Sequence, residues 1–161
     1  MKFKTSLDTL CKVITTLAIA IVVFVSIKFI YHPVYYGEVI ILWVAVLAGY
    51  CYAPKSYEVT DSELIINKGV NKRIIKLTEI ANVSAVSKEE LGRGMRTGGV
   101  GGFFGYFGKF YYSKIGKVTL YATRGTNMVL ITLKNEQKII ITPDDLSLVQ
   151  LVKTRISRTS F

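Results

Sequence analysis

The sequence predicts a pair of transmembrane helices followed by a mostly-β barrel or sandwich of about seven strands, capped by a C-terminal α-helix. Three observations carry this prediction. Between Val13 and Tyr52 the only formal charges are Lys28 and Glu38. Beyond Pro54 charges come every few residues, and the apolar runs become short, β-branched and separated by turn residues. After Thr142 the apolar spacing changes to threes and fours, the helical period. The mean hydropathy of +0.37 therefore averages two unlike parts, a helical hairpin over 1–54 and a β domain over 55–161.

The first apolar run, Leu10 to Ile30, is long enough to cross a bilayer, which takes about 20 residues. Lys12 and Lys28 sit near its ends, where long side chains reach the headgroups. The second run reaches spanning length over about 35–53. Tyr31, Tyr35 and Tyr36 at one end, and Tyr50 and Tyr52 at the other, resemble interfacial aromatic belts. Trp43 falls near the middle and is expected to pack on the first helix, opposite Ala18 and Ala20. The connection Tyr31-His32-Pro33-Val34 is short, so the helices are antiparallel neighbours. Lys2, Lys4 and Lys12 precede the first span, which places both termini in the cytoplasm. A cleaved signal peptide fits less well, because no small-x-small cleavage site closes the first run and a second run follows at once. Cys11 stands at the start of the apolar run, whereas a lipoprotein signal needs its cysteine at the end. Cys11 and Cys51 fall at the same membrane face, where a reducing cytoplasm favours small apolar packing over a disulfide. His32 has no companion ligand and reads as a loop residue.

In the β part, strands are expected at Ser56–Thr60, Leu64–Asn67, Arg73–Leu77 and Ile80–Val86, then at Lys117–Thr123, Met128–Lys134 and Gln137–Thr142. The last three read as a meander. The run Ile139-Ile140-Ile141 predicts a strand buried on both faces. A helix is expected over about 143–158. Thr142 serves as its N-cap and Pro143 as its first residue, with Asp144 and Asp145 complementing the dipole. Leu146, Val149, Val152 and Ile156 would form its buried face.

The segment from Gly92 to Lys109 is the most unusual. It places glycine at 99, 102, 105 and 108, with Phe103, Phe104, Tyr106 and Phe107 between. It is not a phosphate-binding P-loop: five residues separate Gly102 from Gly108 where that motif needs four, and Phe110 stands where Ser or Thr is required. Two expectations remain. The rings fill the barrel mouth, or they form a contact surface for the bilayer or another protomer, with Arg93, Arg96 and Lys109 suited to headgroups.

From Ser56 to about Ile156 the chain resembles the bacterial pleckstrin-homology-like (PH-like) membrane domains. The resemblance rests on Tyr57-Glu58-Val59-Thr60-Asp61-Ser62-Glu63-Leu64, the insertion Gly98 to Gly108, Tyr121-Ala122-Thr123-Arg124 and Ile141-Thr142-Pro143-Asp144-Asp145. It implies the fold and attachment to a bacterial inner membrane, and it supplies no catalytic residues.

From Lys55 onward 17 Lys and Arg face 9 Asp and Glu, which leaves +8. A basic domain beside a bilayer meets anionic lipid, at roughly 1 kcal/mol per well-placed cation. Nucleic acid is not expected, since no helix-turn-helix, zinc-knuckle or RNA-binding aromatic pattern is present. Neither are catalytic residues, metal ligands or a cofactor, because no nucleophile-base set or ligand spacing occurs. The expected function is a membrane-anchored, non-enzymatic binding module for lipid headgroups or a partner protein. The alternative is a homo-oligomeric structural subunit that assembles through the 98–108 insertion.

Overall fold

The computed structural model describes residues 1–159; Ser160 and Phe161 lie outside the described residues. The chain opens with a short strand, β1 (Lys2–Lys4), and then forms two antiparallel helices, α1 (Thr9–Phe29) and α2 (Tyr36–Tyr52), joined by a 3-10 turn at Pro33–Tyr35. Asp8 caps α1 by accepting the Cys11 N–H at 2.7 Å. Both helices are long and apolar enough to cross a bilayer, the second counted from Pro33. Their side chains face outward: Leu17, Ile21, Phe24, Ile41, Val44 and Leu47 are all exposed. Trp43 does lean on α1, but through Ser26, whose hydroxyl accepts its indole N–H at 3.0 Å, and not through Ala18 or Ala20. Cys11 and Cys51 are both free thiols.

After α2 come β2 (Pro54–Val59), β3 (Glu63–Lys68), β4 (Lys72–Lys76), β5 (Ile80–Val86), a short helix α3 (Lys88–Leu91), β6 (Gly94–Gly101), β7 (Tyr106–Tyr112), β8 (Gly116–Ala122), β9 (Met128–Leu133), β10 (Lys138–Ile141) and α4 (Ser147–Thr159). The strands form two open sheets, β1-β2-β3-β4 and β5-β9-β10-β8-β7-β6. All seven strands expected from the sequence are present within a residue or two at each end. Three more join them among the described residues: β1, and the pair β6 and β7.

The fold differs from the expectation in four respects. The sheets do not close into a barrel, because the 3-10 turn at Leu77–Glu79 carries the chain from β4 to the other sheet before the two strands can pair. The last three strands are not a meander: β10 lies between β8 and β9, parallel to one and antiparallel to the other. Its continuous Ile139-Ile140-Ile141 run, buried on both faces as expected, explains this placement; at a sheet edge it would lie open to water.

The other two differences concern the helix start. Thr142 belongs to the core: its hydroxyl accepts the Thr123 N–H at 2.9 Å, and its own N–H meets Tyr57 Oη at 3.2 Å. The helix therefore begins at Ser147, where Asp145 accepts the Ser147 N–H at 2.8 Å. Leu146 consequently precedes the helix and is exposed, and Leu148 takes its place in the core beside Val149 and Val152.

The main core lies between the sheets and under α4. It joins Phe3, Tyr57, Val59, Leu64 and Ile66 of the first sheet to Val129, Ile131, Ile139 and Ile141 of the second. Tyr57 is fully buried, and its phenol bridges the layers by donating to the Tyr121 carbonyl at 2.6 Å. Burial pushes the pKa of that phenol up, so it stays a donor. A second cluster, including Leu91, Phe110, Leu120 and Ile140, lies on the far face of the six-stranded sheet.

The Leu146 and Leu148 environments give a direct check of the helix start. Leu148→Asp places an unpaired charge in the core and should abolish cooperative thermal unfolding. Leu146→Asp should lower stability by less than about 1 kcal/mol, as surface changes do. Equal loss in both variants would contradict the placement.

Candidate functional site

The glycine-aromatic segment forms a β-hairpin and not a loop. Gly99 pairs with Gly108, both at positive φ, and the strands approach so closely there that a Cβ on Gly99 would lie 2.3 Å from the Phe107 carbonyl oxygen. A Cβ on Gly108 would lie 2.4 Å from that of Gly98. No other residue type fits either position without moving the backbone. At the tip the Gly102 N–H donates to the Gly105 carbonyl at 2.9 Å, and Phe104 turns through a left-handed φ of 55°. Such a φ costs a bulky residue about 1–2 kcal/mol, so the surroundings must hold it.

They hold it from both helices. The Phe104 N–H donates to the Thr15 hydroxyl of α1 at 2.9 Å. Gly102 lies against Ile14, whose Cδ1 would be 2.7 Å from an added Cβ. On α2, Gly49 leaves room for the Phe103 ring, and Tyr50 meets the Phe104 ring edge-on at 5.6 Å between centroids. The tip is thus wedged against the end of the helix pair nearest the β sheets. Tyr106, just behind it, is half-buried, and its phenol pKa is pushed up by burial and by the neighbouring Cys11 thiol.

Of the residues singled out by the sequence, Phe103, Phe104 and Tyr106 gather at this helix end. Phe107 is buried in register with Tyr121 on the opposite face of the hairpin from Tyr106. Arg96 is exposed and extends toward Gly101, with Nη1 4.0 Å from where a Cβ there would stand. Lys109 is exposed in mid-strand. Arg93 lies at the far end of the hairpin, beside Ser113, about 30 Å from the tip at ~3.3 Å per residue.

Sequence reasoning missed a second group at the same helix end. The turn between β3 and β4 reaches the last residues of α2, where the Val70 N–H donates to the Cys51 carbonyl at 3.2 Å. Gly69 permits the approach, since a Cβ there would lie 2.8 Å from that same carbonyl oxygen. Val70 stays 75% exposed at the tip, with Lys68, Lys72 and Arg73 flanking it. Lys55 Nζ stands 3.6 Å over the Tyr50 ring, and Lys68 Nζ lies 5.8 Å from the Tyr52 ring centre and 5.5 Å from that of Tyr121. Partial burial lowers the pKa of both ammonium groups, and Arg73 adds to the effect at Lys68. The signal was available in the turn Asn67-Lys68-Gly69-Val70-Asn71-Lys72-Arg73, but its spatial relation to Tyr50 and Tyr52 was not.

Chemically, this arrangement offers cations, aromatic faces and exposed apolar side chains. Among the described residues no three His, Cys, Asp or Glu side chains cluster as metal ligands would. The adjacent acids Asp144 and Asp145 serve structure. Asp144 binds Arg124, and Asp145 holds Ser147, whose hydrogen bonds lower the Asp145 pKa.

Two layered open sheets under one amphipathic helix, joined to an apolar helix pair, define a small β-sandwich domain carried on helices. Residues 55–156 match the family model described as Bacterial PH domain, and the chain belongs to that family. No curated protein and no solved structure matches the chain. A PH-like fold supports a binding module and leaves the ligand to be argued from the site.

The wedge should make the tip resistant to protease in the intact chain. Gly102→Val should drive a side chain into Ile14 and force the tip off α1. Chymotrypsin cleavage at Phe103 and Phe104 should then rise at least tenfold, whereas Gly98→Ala, which meets open space, should leave it unchanged.

Proposed function

We propose that this protein is a membrane-anchored, non-enzymatic binding module whose basic β domain contacts anionic lipid headgroups at the membrane surface. In this reading α1 and α2 cross the bacterial inner membrane as a hairpin, with both termini and the β domain in the cytoplasm. Residues 9–52 form the anchor. The binding unit starts near residue 54 and takes β1 as an added strand.

The observation that carries the reading is the crowding of cations and aromatic rings around one end of an outward-facing apolar helix pair. Lys12, Lys55, Lys68, Lys72 and Arg73 all lie at or beside that end, together with Tyr50, Tyr52 and the exposed Val70. Tyrosine at a helix end suits the headgroup level, and cations there gain roughly 1 kcal/mol each on an anionic leaflet. The pairing of β1 with β2 supports the topology, because residues before α1 and after α2 then lie on one side. Docking of the hairpin tip on the chain's own helices favours this reading over assembly through the insertion, since the rings at 103 and 104 already have partners.

Two measurements test the proposal. Reporter fusions after Tyr35 and at the C-terminus should report opposite sides of the membrane; the same side for both would refute the hairpin. For the headgroup contact, a flexible linker replaces residues 9–52 and leaves β1 in place. That protein should bind phosphatidylglycerol-rich vesicles in a salt-dependent way. Charge reversal of Lys68, Lys72 and Arg73 to Glu should weaken binding by at least a hundredfold, at ~1 kcal/mol or more per cation. Binding that ignores salt and these substitutions would exclude the headgroup reading.

A further inference from the structure

The far face of the six-stranded sheet holds a cavity of about 320 Å³ that the headgroup reading does not use. Its floor is Phe110, Leu120, Ile140 and Met128, from the adjacent strands β7, β8, β10 and β9, and Tyr106 and Tyr112 wall it. The volume is at the lower end of the range for small-molecule pockets, ~300–1,000 Å³, and the lining is mostly apolar, as such pockets are. It is too small for a two-chain lipid and suits one chain.

Lys88 stands at the mouth. It is the first residue of α3, which a reciprocal pair of bonds between Ser87 and Glu90 fixes in place. Gly125 lies beneath the ammonium group, and a Cβ there would come within 2.8 Å of Nζ. Arg124, the other cation on the rim, is committed to Asp144. Beside the cavity lies a more open groove of about 500 Å³ that shares Lys88, Gly125 and Met128 and is lined further by Val86, Leu146 and Asn127. Two largely apolar hollows, one recessed and one open to solvent, thus share one cation. Glu89 lies on the outer lip of that groove, exposed.

The rim also adjoins the start of α1. The Gly125 N–H donates to Asp8 Oδ2 at 3.2 Å, while the other oxygen of Asp8 caps the helix. Tyr106, in the cavity wall, neighbours Cys11 in the first turn of α1. Under the proposed topology the start of α1 lies at the inner leaflet, so the rim stands close to the headgroup layer.

We propose that this cavity binds a single-chain anionic amphiphile drawn from that leaflet, with the acyl chain over Phe110, Leu120 and Ile140 and the anionic head beside Lys88. A carboxylate or phosphate head matches the cation, and the open groove gives it room and water. The site is distinct from the headgroup contacts at Lys68, Lys72 and Arg73, and either one stands without the other.

The full chain in phosphatidylcholine nanodiscs is exposed to laurate bearing a photoreactive diazirine near its methyl end, and labelled peptides are mapped by mass spectrometry. Labelling should be saturable and should fall on Phe110, Leu120 or Met128. Unlabelled laurate should compete at least tenfold better than dodecyltrimethylammonium, which has the same chain length and the opposite charge. Lys88→Glu should erase that preference and Lys88→Arg should retain it, with vesicle binding through Lys68, Lys72 and Arg73 unaffected by either. Labelling confined to residues 9–52 would overturn the proposal, because it reports only partition into the bilayer. Cavity labelling that is indifferent to head charge and to Lys88→Glu would overturn it equally.

Discussion

Phe3 is buried in the sandwich core, and the short strand that carries it pairs antiparallel with β2, Lys2 opposite Glu58 and Lys4 opposite Ser56. Burial of one such ring contributes about 1.5–3 kcal/mol. Around it the terminal amine donates to the Val59 carbonyl at 2.6 Å, and the Asp144 N–H donates to the Lys4 carbonyl at 3.0 Å. The consequence is geometric. α1 starts five residues after β1, and β2 starts two residues after α2, so both helix ends are fixed to the same sheet. The helix pair cannot swing freely on a single linker.

Asp8 and the tip of the β6–β7 hairpin turn that fixed point into a joint. One carboxylate oxygen of Asp8 caps α1 while the other holds Gly125 in the β8–β9 loop, and its N–H meets the Thr123 carbonyl at 3.1 Å. A few residues along the helix, Thr15 and Ile14 receive the hairpin tip. The strained φ at Phe104 is held by these contacts together with Gly49 and Tyr50 of α2, which makes the tip the first element expected to open when the helices shift against the sheets. A change in the helix pair therefore has a route to β6 and β7, and through Tyr106 to the cavity wall.

How much of this was legible depended on whether a signal was local. The seven strands with β-branched runs, the apolar helices and the two-faced burial of Ile139 to Ile141 all follow from patterns within ten or so residues. β1 did not, because three residues, Lys-Phe-Lys, hold no periodicity and gain strand structure only from β2. The hairpin at 94–112 was hidden by its glycines. These read locally as loop, yet they are strand glycines whose missing Cβ lets two backbones close up at Gly99 and Gly108. The α4 start was misjudged because Thr-Pro-Asp-Asp satisfies the local capping rule. Tyr57, 85 residues earlier in the chain, and Thr123 take up Thr142 first. The site shows the same division. Phe103, Phe104 and Tyr106 were legible as unusual, but their partners Thr15, Gly49 and Tyr50 were not, and the cations at the β3–β4 turn gain meaning only beside α2.

The two faces of the six-stranded sheet also explain why a recess lies on its far side. One face is covered by the other sheet and α4. The opposite face carries Ile140, Leu120 and Phe110, and the covering there is thinner: Leu91 of α3, the start of β6 and the tyrosines of β7. A sheet that must be apolar on both sides, because β10 runs through its middle, leaves a recess wherever that thin layer stops. Under the proposed topology two spanning helices already hold the domain at the membrane, so its cations are not needed to recruit it. Tethering raises the effective concentration of headgroups to the point where weak contacts are occupied. Modest, salt-sensitive contacts at Lys68, Lys72 and Arg73 then suffice to orient the sandwich on the leaflet, while the recess beside Lys88 is kept near the leaflet by the anchor itself, through Asp8 and Gly125 at the start of α1.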